Sequence, residues 1–479
     1  MKDLARRVLD GIEAAGAGYG DVRVGRTRFQ DISVKNGRVD GLSEDFSEGF
    51  GVRVLVDGAW GFACSSVLSG EEADRVVAQA VDIARASARA HLEPVTLGDP
   101  VRERGSYKGP VRIDPFSVGV DRKIDLLLAA EKELRRDPSI RVAAASAECT
   151  HWVKLFASTE GAEVEQEAWE AGAGITATAV SDAEMQRRSY PNSFGRQVGQ
   201  GGWELVEEMR LVENAPRVAD EAAALLTAER CPSITTTLIL DASQLALQTH
   251  ESCGHPTELD RVYGTEAAYA GTSFMTPDLL GTLKYGSDKI TIVADATVPG
   301  ALGTFGYDDE GTPAQRVDIV KEGRWVGVLS GRDSAAVAGL PPGGMVRGDG
   351  YNRLPMVRMT NVGLVPGESS LEEIIAATDD GILMATNRSW SIDDKRLNFQ
   401  FGCEIAWEIT GGRLGRMLKN PTYTGITPQF WATMDRLAGG PEWIHWGVPN
   451  CGKGQPMQTA HTGHSAAPAR FRGVRVGVR

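Results

Sequence analysis

Alternation of apolar and polar residues, punctuated by turn dipeptides that accept a left-handed backbone, constrains this chain more than any other feature. DVRVGRTRFQDISVKNGRVDGLSE, residues 21 to 44, alternates in this way and turns at Asn36-Gly37. GVRVLVDGAWGFACSS, residues 51 to 66, repeats the pattern around Asp57-Gly58. Period-two alternation puts one side of a strand on a core, and Asn-Gly or Asp-Gly supplies the positive φ angles of a tight hairpin. The beginning of the chain is therefore expected to be antiparallel sheet.

Helices flank these strands. The opening MKDLARRVLDGIEAAGAGYG mixes charge into helical apolar spacing, unlike the uninterrupted apolar run of a signal peptide. Ser69 and Glu72 form a capping box for a helix carrying Val76, Val77, Ala80 and Val81 on one face. Residues 91 to 115, rich in Pro, Gly and charge, read as a linker or long loop. A further helix is expected over about Arg122 to Arg136, before Pro138. Alternating runs between 140 and 182 turn at Glu160-Gly161, and a helical region from about Trp203 to Arg230 closes this half.

From Thr235 the pattern becomes mostly β. TTTLIL is a short strand, Asp241 caps the helix that follows, and later runs such as KITIVAD and the RVDIVKEGRWVGVLS hairpin suggest one large, mostly antiparallel sheet system. The fold class is α+β: a helix-and-sheet region made of two related pieces, 1–90 and 91–228, then a β-rich C-terminal domain, 229–479.

Composition narrows the function. A formal charge of -13 argues against a partner bound through its phosphate backbone, so no direct nucleic-acid contact is expected. No apolar stretch approaches membrane-spanning length, and six cysteines dispersed over 479 residues without a CxxC pair form no disulfide framework. A cytoplasmic protein with no membrane partner is expected.

The chemistry concentrates in QTHESCGHPTELD, residues 248 to 260, where a helix runs into two of the chain's 7 histidines with Glu251 directly after the first. Zinc peptidases commonly place such histidines four apart, whereas His250 and His255 are five apart. On an ideal α-helix the second imidazole would lie roughly 140° from the first. A one-residue π-bulge restores the alignment, and Gly254 is a residue that tolerates one.

A catalytic zinc needs a third protein ligand. The candidates are Cys403, Cys451, His445, His461, His464, Glu258 and Asp260. Cys451 is the most attractive, in the glycine-flanked NCGKGQ where Lys453 favours thiolate. Cys403 alternates within a strand and suits a core, Cys253 is awkwardly placed for joint ligation, and HTGH, residues 461 to 464, reads as a polar turn.

THESCGHPTELDR, FGYDDEGTPAQ at 305 to 315, YNRLPMVRMTN at 351 to 361, DDKRLNFQFG at 393 to 402, NPTYTGITPQFW at 420 to 431 and NCGKGQ at 450 to 455 together resemble the TldD/PmbA metallopeptidase family on its TldD side. The likeness extends to the N-terminal GVRVLVDGAWGFA and so runs through nearly the whole chain. The resemblance implies one zinc ion per subunit on His250, His255 and Cys451, with Glu251 as general base. The PmbA branch, also called TldE, lacks the His-Glu motif, so its presence here points to the zinc-bearing branch.

The function so implied is hydrolysis of unfolded or extended peptides and small proteins, bound as an added strand, with Glu251 taking a proton from zinc-bound water. Tyr307, Asp308, Tyr351, Arg353 and His461 are expected to border the substrate, although YDDEGTP also suits a carboxylate-capped turn. The resemblance further implies a dimer, commonly a heterodimer with a zinc-free PmbA/TldE paralogue, with a homodimer as the alternative. A noncatalytic peptide-binding scaffold with a structural zinc is the competing class, and His461 or His464 as a fourth ligand would favour it. A hydrolase of non-peptide amides would keep the same metal chemistry.

Overall fold

The structure is a computed structural model that describes residues 1–90, 93–193 and 196–478. The Asn36-Gly37 turn joins strands Tyr19–Lys35 and Arg38–Val56, and Asp57-Gly58 joins the latter to Ala59–Ser65. All four turn residues have positive φ, the backbone a two-residue hairpin needs to follow the strands' twist.

Strand Tyr19–Lys35 pairs on its other side with Ile140–Ser158, so the two N-terminal pieces share one eight-stranded sheet. Helices Lys2–Ala14 and Gly70–Ala88 cover the part of it carrying Val22, Val24, Val52 and Val54. Ser69 caps the second of these helices by accepting the Glu72 amide. Helices Val120–Leu134 and Leu211–Thr227 pack on an alanine-rich part, where small side chains let the helices approach closely.

The expected loop at 91 to 115 contains an edge strand, Arg104–Lys108, parallel to Glu163–Val180. Its five residues are mostly exposed and lack apolar alternation, so its pairing depends on a partner nearly sixty positions away.

The C-terminal half is antiparallel for the most part but forms separate sheets rather than one system. In the larger, Asp380–Ile392, Ile234–Leu240, Ala469–Val476, Thr422–Ile426 and Asn398–Thr410 pair in succession, and the last pairs again with the first, closing a ring. Phe399, Phe401, Tyr423, Phe430 and Phe471 stack in contact with one another in its core. A four-stranded sheet and two hairpins complete this half among the described residues.

One hairpin, Ile444–Lys453 with Gln458–Ala466, connects the halves: Gln197 of the N-terminal region donates to the His445 carbonyl at 2.9 Å and accepts from the Gly447 amide at 3.1 Å. The FGYDDEGTP segment forms a second contact. Gln166 binds the backbone of Gly306 and Tyr307 at 2.8 to 3.0 Å, and Arg53 lies 3.3 Å from Glu310. Among the described residues no helix is long and apolar enough to cross a membrane.

Candidate metal centre

The centre begins with a capped helix. Strand Ile234–Leu240 ends at Asp241, whose carboxylate accepts the Gln244 amide at 3.0 Å and starts helix Ala242–Thr249. The helix then widens to a π-turn over His250–Gly254, and the His255 amide donates to the His250 carbonyl five residues back. Five residues thereby span about one turn, and both imidazoles emerge on one side. Their ring centres are 4.8 Å apart and their planes perpendicular. Gly254 makes room for a neighbouring side chain here: a Cβ at this position would lie 2.1 Å from Met359 Sδ, which would have to move.

The third donor arrives on the bridging hairpin. Cys451 lies within strand Ile444–Lys453, opposite Ala460 and just after a bulge, rather than in the glycine-flanked loop expected for it. Its Sγ is 3.4 Å from His250 Nε2 and 3.7 Å from His255 Nε2. A tetrahedral zinc with ordinary Zn–N and Zn–S bonds sets such N···S edges at about 3.5 Å. The donor set therefore fits a zinc ion. All three residues are buried, and their donor atoms lie within 4.8 Å of one another.

A second ring of contacts fixes the proton on each imidazole. His464 Nδ1 lies 2.8 Å from the Val362 carbonyl, which can only accept, so Nδ1 carries hydrogen and Nε2 a lone pair. That Nε2 is 2.7 Å from His250 Nδ1, which must donate to it, leaving His250 Nε2 free to ligate. His255 Nδ1 donates to Glu258 at 2.9 Å, and Lys453 Nζ is 3.5 Å from the other Glu258 oxygen and 2.7 Å from Asp260.

Burial pushes the pKa of His250 down and those of His255 and His464 well down, which keeps all three imidazoles neutral. Burial works to raise the Cys451 thiol, but His255 and the Arg358 guanidinium outweigh it and bring the thiol below its ordinary value. Neutral imidazoles and a thiol inclined to ionise are the states a metal requires.

Glu251 lies beside this set, its carboxylate ion-paired with Arg396 and almost wholly buried. Arg396 belongs to DDKRLNFQFG, which sequence reasoning used only as a family marker; a lone arginine in a charged turn gives no other signal.

The remaining expected residues lie outside the donor set. Tyr307 packs in a small cluster with Phe156, Ala162 and Val164 at the contact between halves. Asp308 accepts the Glu310, Thr312 and Val346 amides at 2.9 to 3.0 Å, the capped turn that YDDEGTP also suited. Tyr351 and His461 line a cavity of about 390 Å³ with Arg23, Trp152 and Glu170, while Arg353 offers its carbonyl to Arg23 at 2.6 Å.

HTGH is strand rather than turn. Successive side chains of a strand point to opposite sides. His461 accordingly meets Glu170 at 2.5 Å, away from the metal donors, while His464 meets His250. Cys403 is buried in the core as expected, and His445 hydrogen-bonds Ser465 at 2.7 Å.

The chain matches the sequence patterns of three domains in order: PmbA/TldA metallopeptidase domain 1 over residues 20–84, the central domain over 113–229 and the C-terminal domain over 233–477. It is 28% identical to a metalloprotease of Methanocaldococcus jannaschii over 408 residues, 85% of this chain and 86% of that one. A Synechocystis metalloprotease is 28% identical over 467 residues, 96% and 95% of the two chains. A zinc metalloprotease TldD homolog of Saccharolobus solfataricus is 23% identical over 195 residues, 40% and 41%.

Among solved structures, a Thermotoga maritima protein superposes with a TM-score of 0.77 at 18% identity, covering 99% of this chain and 100% of that one. TldE from Thermococcus kodakarensis gives 0.74 at 16%, covering 99% and 100%. At those identities the likeness concerns the fold. With the domain patterns matched in sequence order, the last across just over half the chain, this protein belongs to the PmbA/TldD family of metallopeptidases.

Proposed function

We propose that the protein is a zinc-dependent peptidase acting on unfolded or extended peptides. The observation that carries this reading is that Cys451 Sγ lies 3.4 Å from His250 Nε2 and 3.7 Å from His255 Nε2, close to the N···S edges of a zinc tetrahedron. The zinc relative named above supports the choice of ion.

When bound, the ion supplies Lewis acidity, polarising a water molecule and the peptide carbonyl. The chain's own residues do the rest. His464 and Glu258 hold the two imidazoles in the ligating tautomer. Glu251, next in sequence to a ligand, takes the proton from the attacking water and returns it to the departing amine.

The competing reading, a structural zinc in a noncatalytic scaffold, needs a fourth protein ligand. His464 is engaged with His250 Nδ1 and His461 with Glu170, which favours the catalytic reading. The same proposal includes a dimer, with a PmbA/TldE-type paralogue as the usual companion. Family resemblance supports that pairing.

The test is zinc content together with cleavage of an unfolded peptide mixture, with and without a PmbA-type partner. Glu251→Ala is expected to keep zinc and lose cleavage, and Cys451→Ala to lose both. Zinc binding without cleavage by wild type, or normal cleavage by Glu251→Ala, would overturn the reading.

A further inference from the structure

We infer that Arg396 is a catalytic residue that binds the oxyanion formed as the peptide carbonyl is attacked, exchanging it for its resting partner Glu251. The inference rests on the function proposed above and adds a group to it.

The placement is specific. Arg396 sits in the turn between Asp380–Ile392 and Asn398–Thr410 with φ of 62°, a left-handed conformation that a branched-chain or long side chain adopts only when its surroundings impose it. The surroundings do so from several sides. Its amide donates to the Asp393 carbonyl at 2.8 Å, and its own carbonyl accepts from Thr427 Oγ1 at 2.9 Å. Asp393 accepts the Leu397 and Asn398 amides at 2.8 and 3.0 Å. Phe274 donates to the Lys395 carbonyl at 3.0 Å, and Arg261 to that of Asp394 at 3.2 Å. A turn anchored this heavily presents its side chain in one place.

The guanidinium is also only partly used. Nη1 is engaged by Glu251, whereas Nε is buried with no hydrogen-bond partner. Buried donors are ordinarily satisfied; the Nε atoms of Arg23, Arg332, Arg347 and Arg358 are unpartnered too, and what sets Arg396 apart is that its guanidinium lies against a candidate general base. An acceptor of the right charge is generated by the reaction itself.

The charge balance carries the argument. As the water oxygen bonds to the carbonyl carbon, the π pair of the C=O bond moves to the carbonyl oxygen, and the proton leaving the water passes to Glu251. Glu251 goes from anionic to neutral while the former carbonyl oxygen becomes anionic. The negative charge facing Arg396 thus moves from one oxygen to another while the buried guanidinium keeps an anionic partner. When the adduct collapses, the C–N bond breaks, the Glu251 proton goes to the amine nitrogen, and Arg396 recovers its original pair. A donor held for the oxyanion and occupied beforehand by the base is a preorganised form of electrostatic stabilisation.

The experiment uses the zinc-loaded full-length protein, with its PmbA-type partner if wild type requires one, as wild type, Arg396→Ala and Arg396→Lys. Four quantities are measured: zinc content, thermal melt, kcat and KM on an extended fluorogenic peptide, and calorimetric affinity for two uncleavable versions of that peptide. One version carries a phosphinate at the scissile position, a tetrahedral anion; the other carries a planar ketomethylene. Arg396→Ala is expected to retain zinc, to lose kcat by roughly 10²–10³-fold with KM little changed, and to lose phosphinate affinity while keeping that for the planar probe. Added guanidinium ion should restore part of its kcat.

If Arg396→Ala does not fold, Arg396→Lys carries the test, since it keeps one charge without the fork and should weaken the phosphinate selectively. Equal loss of both probes, or of neither, in a folded zinc-bearing variant overturns the role of Arg396 alone. A wild type that holds zinc yet cleaves nothing and binds neither probe overturns the underlying peptidase reading, and this inference with it.

Discussion

His464 Nε2 lies 2.7 Å from His250 Nδ1, with the opposite nitrogen of His464 tied to the Val362 carbonyl. This chain of donors sets which nitrogen of His250 can ligate without touching the metal position itself. Replacing His464 by leucine removes the acceptor and leaves a buried N–H unpaired, a cost of about 1–3 kcal/mol. Zinc affinity is expected to fall by roughly 10–100-fold, as for other groups that orient a metal-bound imidazole. Competition against a chelator checks this, and unchanged zinc affinity in a folded His464→Leu protein would refute it.

Lys453 offers a second test from the other side of the centre. Its buried ammonium sits 2.7 Å from Asp260 and 3.5 Å from Glu258, the carboxylate that orients His255. Burial works to lower its pKa, but Asp260, Glu258 and Glu266 prevail and raise it, so the cation persists. Lys453→Met would strand these carboxylates, and the expected loss is about 3–5 kcal/mol by denaturant titration. A change within the noise of the titration would mean that the cluster is solvated or protonated.

Much of the centre was legible in the sequence because local geometry carries it. A π-turn is one local change that brings His250 and His255, five apart, to the same side, and the helix contains one. Cys451 was separated from Cys403 by resemblance, since a cysteine in a strand and one beside glycines differ little until the strands are assembled. HTGH misled because buried strand Gln458–Ala466 has polar residues on both sides: one face meets Glu170, the other His250. Apolar alternation, the usual sign of a strand, is absent there. Arg396 was silent for a different reason. Nothing in local sequence singles out an arginine for positive φ; beside Asp393 in the same turn, Thr427, Phe274 and Arg261, all distant in the chain, hold that conformation.

The contact between the halves should respond to pH. Burial raises the Glu310 carboxyl to about 8 from 4.5, despite Arg53 acting in the opposite direction. The folded protein therefore holds a proton that the unfolded chain has already lost. Stability from this group is greatest below about pH 4.5 and falls as pH rises towards 8. Melting temperatures from pH 5 to 8, at fixed zinc, are expected to decline less steeply in Glu310→Gln than in wild type. Parallel curves would mean that Glu310 does not hold the proton.

The π-turn itself can be perturbed through the residue that permits it. A methyl group on Gly254 would lie 2.1 Å from Met359 Sδ and 3.2 Å from its Cε, far inside contact distance. Because φ at Gly254 is -59°, alanine is acceptable to the backbone, and the cost of Gly254→Ala comes from overpacking alone, about 1–3 kcal/mol. Any shift of the turn moves His255 relative to His250, and a zinc site tolerates little error in ligand position. Gly254→Ala is therefore expected to lose both stability and zinc affinity. Adding Met359→Ala, which removes the obstructing sulfur, should recover part of each in a double-mutant cycle. Purely additive losses would show that Gly254 acts through the backbone, and that Met359 is not what fixes the turn.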